Sequence, residues 1–311
     1  MKTGHGGEVA AALALDAAFG EPPENLHPTV WMGRAISVCE QTFMELEDPH
    51  ARLLAGVAMA AAIPALVYLS ARTVLNTIPG SIRGAVGVAI VSTALSMRGL
   101  SDAAGAVERD LREGDLEQAR SSVDALVGRD TQDLLPSEVA RAAVESLAEN
   151  ASDGVVAPML YGFLFGAPGA LAYKAINTLD SMVGYRKGRY EEFGWASARL
   201  DDLANLVPAR TTALLAGVVS GRPIRTLAVA WRYGPLTASP NAGWAEAAFA
   251  GALDLSLGGT NVYGGVVRKG AALGDGRPPE PDDIRRAVRL MRRCCVGLAG
   301  AAVLLGIFRR G

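Results

Sequence analysis

Residues 145–173 read ESLAENASDGVVAPMLYGFLFGAPGALAY. Acidic, hydroxyl and amide side chains crowd the opening positions, and after Asp153 no charge occurs until Lys174. An uncharged run of about 20 residues is what a helix needs to cross the ~30 Å hydrocarbon core of a bilayer. The polar cluster is therefore expected at a membrane edge. The chain reads as all-α: a polytopic helical membrane protein with polar loops at the membrane edge and a small helical soluble insertion.

Other stretches agree. Residues 53–70 carry no charge, and residues 78–97 carry only Arg83. Residues 294–308 are shorter, but Arg292, Arg293, Arg309 and Arg310 bracket them, and long arginines reach the interface along their own stems. Residues 8–19 and 203–221 are weaker spans. The second holds Pro208 and Arg210, which suits a re-entrant segment or one buried in protein. The competing reading makes all six buried core helices of a soluble protein, yet uncharged runs this long are uncommon there. Composition favours the membrane. Hydrophobic residues make up 50% and charged residues only 20%, and mean hydropathy is +0.21. The 36 glycines suit close helix packing in lipid.

The domain expected is a single membrane-embedded unit over 1–311, with 98–153 as a polar helical insertion. Gly114 reads as a helix stop, with Asp115 as the next N-cap and Gln118 at its third position. Ser137, after Pro136, is expected to cap a further helix with Glu138 in its first turn. No strand alternation or internal repeat stands out. The arginine cluster within 285–293 predicts a cytoplasmic location for that segment. A net charge of −2 gives no nucleic-acid footprint. Cys39, Cys294 and Cys295 form neither a disulfide framework nor a metal spacing. The N-terminus is a poor match to a signal peptide, because Asp16 interrupts its short apolar run.

Four clusters carry chemistry. Asp16 to Arg34 is a turn-rich stretch with His27 before a proline; a lone His there is more often structural than catalytic. In the second cluster, Glu145 and Glu149 share one helix face and repel by a few tenths of a kcal/mol. Either Arg141 or a cation should offset that, and with Asn150 and Asp153 the oxygens suit Mg²⁺. The third holds Asn177, Asp180 and Ser181 on one face, then Trp195, Arg199, the pair Asp201–Asp202, and Arg210. Two adjacent carboxylates beside arginines fit a metal with phosphates, or an ordinary salt-bridged helix. The fourth runs from Ser239 through Asn241, Trp244 and Glu246 to Gly265 and reads as a small-residue loop. No P-loop, dinucleotide fingerprint, zinc-protease helix or nucleophile elbow is present.

At these clusters the chain resembles the adenosylcobinamide-phosphate synthase family of cobalamin biosynthesis, an integral membrane family. The matching stretches are DAAFGEPPENLHPTVWMGR (16–34), residues 145–186, YEEFGWASARLDDLANLVPAR (190–210) and SPNAGWAEAAFAGALDLSLGGTNVYGG (239–265). The resemblance implies an amide ligase joining a corrin propionate to aminopropanol or its O-phosphate, with ATP as co-substrate and Mg²⁺ as cofactor. It implies a multi-pass cell-membrane protein with a cytoplasmic active site, acting alone, as a homo-oligomer, or with later corrinoid enzymes. The alternative is a membrane transporter or signalling relative on the same scaffold. On chemical grounds the expected catalytic carboxylates are Glu149, Asp180 and Asp153. Glu145, Asp201 and Asp202 are the expected metal ligands. Arg34, Asn177, Arg186, Arg210, Asn241, Trp195 and Trp244 are the expected substrate contacts.

Overall fold

The computed structural model describes residues 5–185 and 187–308. It is mostly helical: α1 (His5–Phe19), α2 (Pro28–Phe43), α3 (Pro49–Thr77), α4 (Gly80–Ser92), α5 (Met97–Glu113), α6 (Leu116–Asp124), α7 (Pro136–Ala151), α8 (Ala157–Val183), α9 (Tyr190–Phe193), α10 (Trp195–Ala204), α11 (Leu206–Val219), α12 (Pro223–Tyr233), α13 (Ala242–Leu253) and α14 (Pro281–Phe308). The stretch 239–265, read as a small-residue loop, instead forms α13 and then β1 (Leu257–Tyr263), which pairs with β2 (Val266–Leu273) in an antiparallel hairpin. Gly264 and Gly265, at φ 57° and 77°, supply its two-residue turn, the conformation that matches the twist of paired strands.

Among the described residues, four stretches are long and apolar enough to cross a membrane: Pro49–Thr77, Gly80–Glu113, Pro136–Val183 and Pro281–Phe308. Leu54, Leu66, Leu69 and Val74 of α3 are exposed. Burying them in lipid recovers free energy that water would not provide. Two expected spans are not single rods. The run 78–97 stops being helical after Ser92, where a turn precedes α5. The run 154–173 begins with a π-helical turn (Ser152–Val156), enters α8 at Ala157, and breaks at Gly166 (φ 73°), just before Pro168 removes a backbone donor.

The chain forms two compact units. The first comprises residues up to Ser96, Ala157–Asn205, and those from Ala299 on. Its core includes Ile36, Tyr173, Leu179 and Phe193, with Tyr161 stacked on Tyr173 at 5.0 Å between ring centres. Gly56 lets α3 meet the end of α9, since a Cβ there would lie 2.0 Å from the Phe193 carbonyl oxygen. The second unit comprises Met97–Val156 and Leu206–Leu298, so the polar stretch 98–153 shares it with α11 to α13 and the hairpin. Asp115 does cap α6, accepting from the Gln118 N–H at 3.0 Å. The α7 start differs from expectation. Leu135 is the N-cap, Pro136 occupies the first helical position, and Glu138 reaches back to the Leu135 N–H at 2.9 Å. Proline's missing N–H would be unsatisfied there anyway, which favours that register over a Ser137 cap.

Candidate functional site

Each unit contains a carboxylate site. In the second unit a cavity of about 610 Å³ opens among α7, α13 and the hairpin. Glu145 and Glu149 of α7 and Glu246 of α13 line it, together with Arg129 and, from β2, Arg268 and Lys269. Glu145 is fully engaged within the protein. It pairs with Arg129 at 2.7 Å and Arg141 at 3.6 Å, and accepts the Gly258 N–H at 2.6 Å. Arg141 also donates to the carbonyls of Gly258 and Thr260 and to the Asn261 side chain, which Arg129 shares. Between the two readings of the Glu145–Glu149 face, the arginines offset Glu145, and its role here is to fasten the hairpin to α7. Gly258 (φ 71°) is required for this, because a Cβ would lie 2.3 Å from the Ala271 carbonyl oxygen. At the hairpin tip Asp130 accepts the N–H groups of Gly265 (2.7 Å) and Gly264 (2.9 Å), which hold its carboxyl below the usual range.

Glu246 interrupts an otherwise apolar helix. Desolvation pushes its carboxyl well above the ordinary carboxylate range, with Glu149 and then Glu145 adding to the shift. Close carboxylates in a poorly solvated place cannot both ionise cheaply, which favours the protonated form of Glu246. The cavity thus combines a carboxyl whose pKa is raised, a second carboxylate and several cations.

In the first unit Asn177 and Asp180 of α8 meet Asp201 and Asn205 near the end of α10. Asp201 is 9% exposed. Burial first, and Asp180 second, push its carboxyl up to about 7, while Asn205 and Asn177 hydrogen-bond it and act the other way. The Asn205 amide donates to Asp201 at 2.9 Å and its carbonyl accepts the Tyr173 hydroxyl at 2.8 Å. Asp202 is not the second half of this pair. Its carboxylate meets Arg199 at 3.2 Å, because adjacent helical residues point about 100° apart.

Other expected residues fall elsewhere. Arg210, Asn241 and Trp244 do come together: the guanidinium donates to Asn241 at 2.6 Å and lies 4.7 Å from the Trp244 ring centre, but none of the three lines the large cavity. Asp153 sits half-buried on the π-helical turn, also off the cavity wall. Arg34 is exposed on α2. Trp195, half-exposed, lines a small cavity with Tyr185 and Arg199. Arg186 lies outside the described residues. His27 caps α2 by accepting from the Thr29 N–H at 3.2 Å, and burial lowers its pKa, which supports a structural role. Among the described residues, no three His, Cys, Asp or Glu side chains are gathered to hold a metal. Arg268 and Lys269 lie outside the four clusters, and Glu246 lies in the fourth without an expected role of its own. A lone Glu in AGWAEAAFAGAL was a usable signal for Glu246; Arg268 and Lys269 become visible only once the hairpin is recognised.

Comparison with known proteins adds to this geometry. The family model described as CobD/Cbib protein matches residues 9–291. The chain is 42% identical over 305 residues to the cobalamin biosynthesis protein CobD of Rhodobacter capsulatus, covering 96% of each chain. It is 41% identical over 289 residues to the cobalamin biosynthesis protein CbiB of Salmonella choleraesuis, covering 90% of this chain and 91% of that one. A CobD of Klebsiella pneumoniae shows 41% identity over 289 residues. No solved structure matches significantly.

Proposed function

The chain belongs to the CobD/CbiB family, and from that premise we propose that it is an adenosylcobinamide-phosphate synthase of cobalamin biosynthesis. In this reading it forms the amide between a propionate of adenosylcobyric acid and the amine of aminopropanol or its O-phosphate, while ATP becomes ADP and phosphate. The four apolar stretches support a multi-pass cell-membrane protein. With ATP as co-substrate, this reading has the reacting cavity facing the cytoplasm.

The observation that carries the site assignment is Glu149 and Glu246 sharing one cavity with Arg129, Arg268 and Lys269. A carboxylate is a poor acylating agent. Transfer of the γ-phosphoryl group to a propionate oxygen gives an acyl phosphate and ADP. Attack by the amine on the carbonyl carbon then forms the C–N bond, expels phosphate and leaves a proton to be removed. Catalysis of such transfers is mostly positioning and charge neutralisation. Arg268 and Lys269 supply cations for phosphate oxygens, in addition to Arg129. Glu246 in its ionised form takes one proton from the incoming ammonium and so frees the attacking lone pair, the service expected of a positioned carboxylate, and the second proton leaves nitrogen with the departing phosphate as the C–N bond forms. Mg²⁺ characteristically uses one or two carboxylates plus substrate phosphates and water. Glu149 fits that modest requirement and would hold the ion, which supplies neutralisation of the phosphate charge.

The test is turnover. Detergent-purified protein, adenosylcobyric acid, aminopropanol O-phosphate and Mg-ATP should yield ADP and amide in equal amounts. Glu246→Gln should lower the rate on the order of a hundredfold. Full turnover in both Glu246→Gln and Glu149→Gln would move the reaction out of this cavity.

A further inference from the structure

A second cavity in the same unit, about 300 Å³, has a different character. Four arginines line it: Arg222 from the α11–α12 turn, and Arg286, Arg289 and Arg293 from one face of α14. Its remaining walls come from Ser220, Ala252, Leu253 and Leu290. Arg286 is committed within the protein, pairing with buried Asp283 and donating to the Leu253 carbonyl at 2.8 Å. Among the described residues, Arg222, Arg289 and Arg293 meet no carboxylate, and no carboxylate lines the cavity. Three free cations around one concavity repel each other unless an anion enters.

The surroundings indicate which anion. The exposed face of α14 continues from Arg289 and Arg293 to Val296 (64% exposed), Leu304 (58%) and Ile307 (61%). Val296 lies less than one turn, about 4.5 Å, beyond Arg293. On α11, exposed Leu214 and Val218 lead towards Arg222, and the two helices meet where Gly297 faces Leu215 and Val219. On both helices, therefore, an exposed apolar face begins beside the arginines. That boundary is the level at which lipid phosphates lie, and a basic pocket beside the apolar span of α14 suits a lipid headgroup.

We propose that this cavity binds the phosphate of an anionic phospholipid, with Arg222, Arg289 and Arg293 as its ligands. The proposal rests on the membrane reading given above but not on the amide chemistry. A soluble phosphate ester shares the ligand chemistry and is the alternative source to be distinguished.

The protein is reconstituted in nanodiscs of phosphatidylcholine with phosphatidylglycerol, extracted into detergent, and its retained lipid measured by native mass spectrometry. Wild type should retain phosphatidylglycerol in preference to phosphatidylcholine. Arg289→Gln/Arg293→Gln should lower that preference on the order of tenfold. Arg109→Gln, which removes one positive charge at an exposed α5 position away from the cavity, should leave it unchanged. Equal retention by the double variant, no preference in wild type, or displacement of the lipid by millimolar aminopropanol O-phosphate each overturns the proposal. Amide turnover measured on the same samples separates the two readings. Lost headgroup preference with intact turnover condemns only the lipid site. Absent turnover with intact preference condemns only the catalytic assignment. Recovery of the protein without detergent condemns both membrane claims.

Discussion

Asp201→Asn tests the first-unit site through stability. In the folded protein the Asp201 carboxyl is pushed from its ordinary 3.8 up to about 7, chiefly by burial and then by Asp180. A carboxyl whose folded pKa is raised contributes stability that is fully present below the unfolded value and lost as pH rises through the folded one. The loss therefore accumulates between about pH 4 and pH 7 and levels off above. At about 1.4 kcal/mol per pH unit it totals about 4 kcal/mol. Asparagine has the same shape, still accepts from Asn205, and never ionises. In EDTA-treated, detergent-solubilised protein, thermal unfolding should show the variant close to wild type near pH 4 and clearly more stable at pH 8. Other titrating groups move both proteins alike, so the difference between the two curves is the quantity of interest. Parallel curves, or a variant that melts lower at pH 8, would refute the reasoning.

Further expectations follow from named contacts. Arg129→Leu leaves Glu145 poorly compensated and should cost about 3–5 kcal/mol; adding Glu145→Leu should recover much of that in urea or thermal titrations. Gly258→Ala forces a side chain against the Ala271 carbonyl at a positive φ, so hydrogen exchange should rise across β1 and β2 while α3 is unaffected. A Mg-ATP titration followed by melting should lose its stabilisation in Glu149→Gln and keep it in Asp201→Asn; the reverse would move the cation to the Asp180–Asp201 pair.

The features legible in the sequence were those with a local cause. Residues 53–70 announced a span by lacking charge. Gly114 and Asp115 announced a helix boundary by backbone and side-chain chemistry. Glu145 and Glu149 announced a shared face by their spacing. What stayed hidden depended on distant partners. The hairpin carries glycines at 258, 259, 264, 265 and 270, which weaken any strand pattern. It is held instead by Arg129, Asp130, Arg141 and Glu145, and the one local cue to it is the paired Gly264–Gly265 between Val262–Tyr263 and Val266–Val267. Adjacency misled at Asp201–Asp202, since the carboxylate that matters to Asp201 is Asp180, on another helix. The run 154–173 looked like one rod because hydropathy does not register the left-handed backbone at Gly166.

The central claim is that a carboxylate is activated by phosphoryl transfer before an amine takes it. Adenosylcobyric acid labelled with ¹⁸O in its free propionate tests this directly in a single turnover with Mg-ATP and aminopropanol O-phosphate. The account predicts one ¹⁸O in the released inorganic phosphate, one retained in the amide carbonyl, and ADP as the nucleotide product. Label appearing in AMP, or phosphate released without ¹⁸O while amide forms, would contradict it.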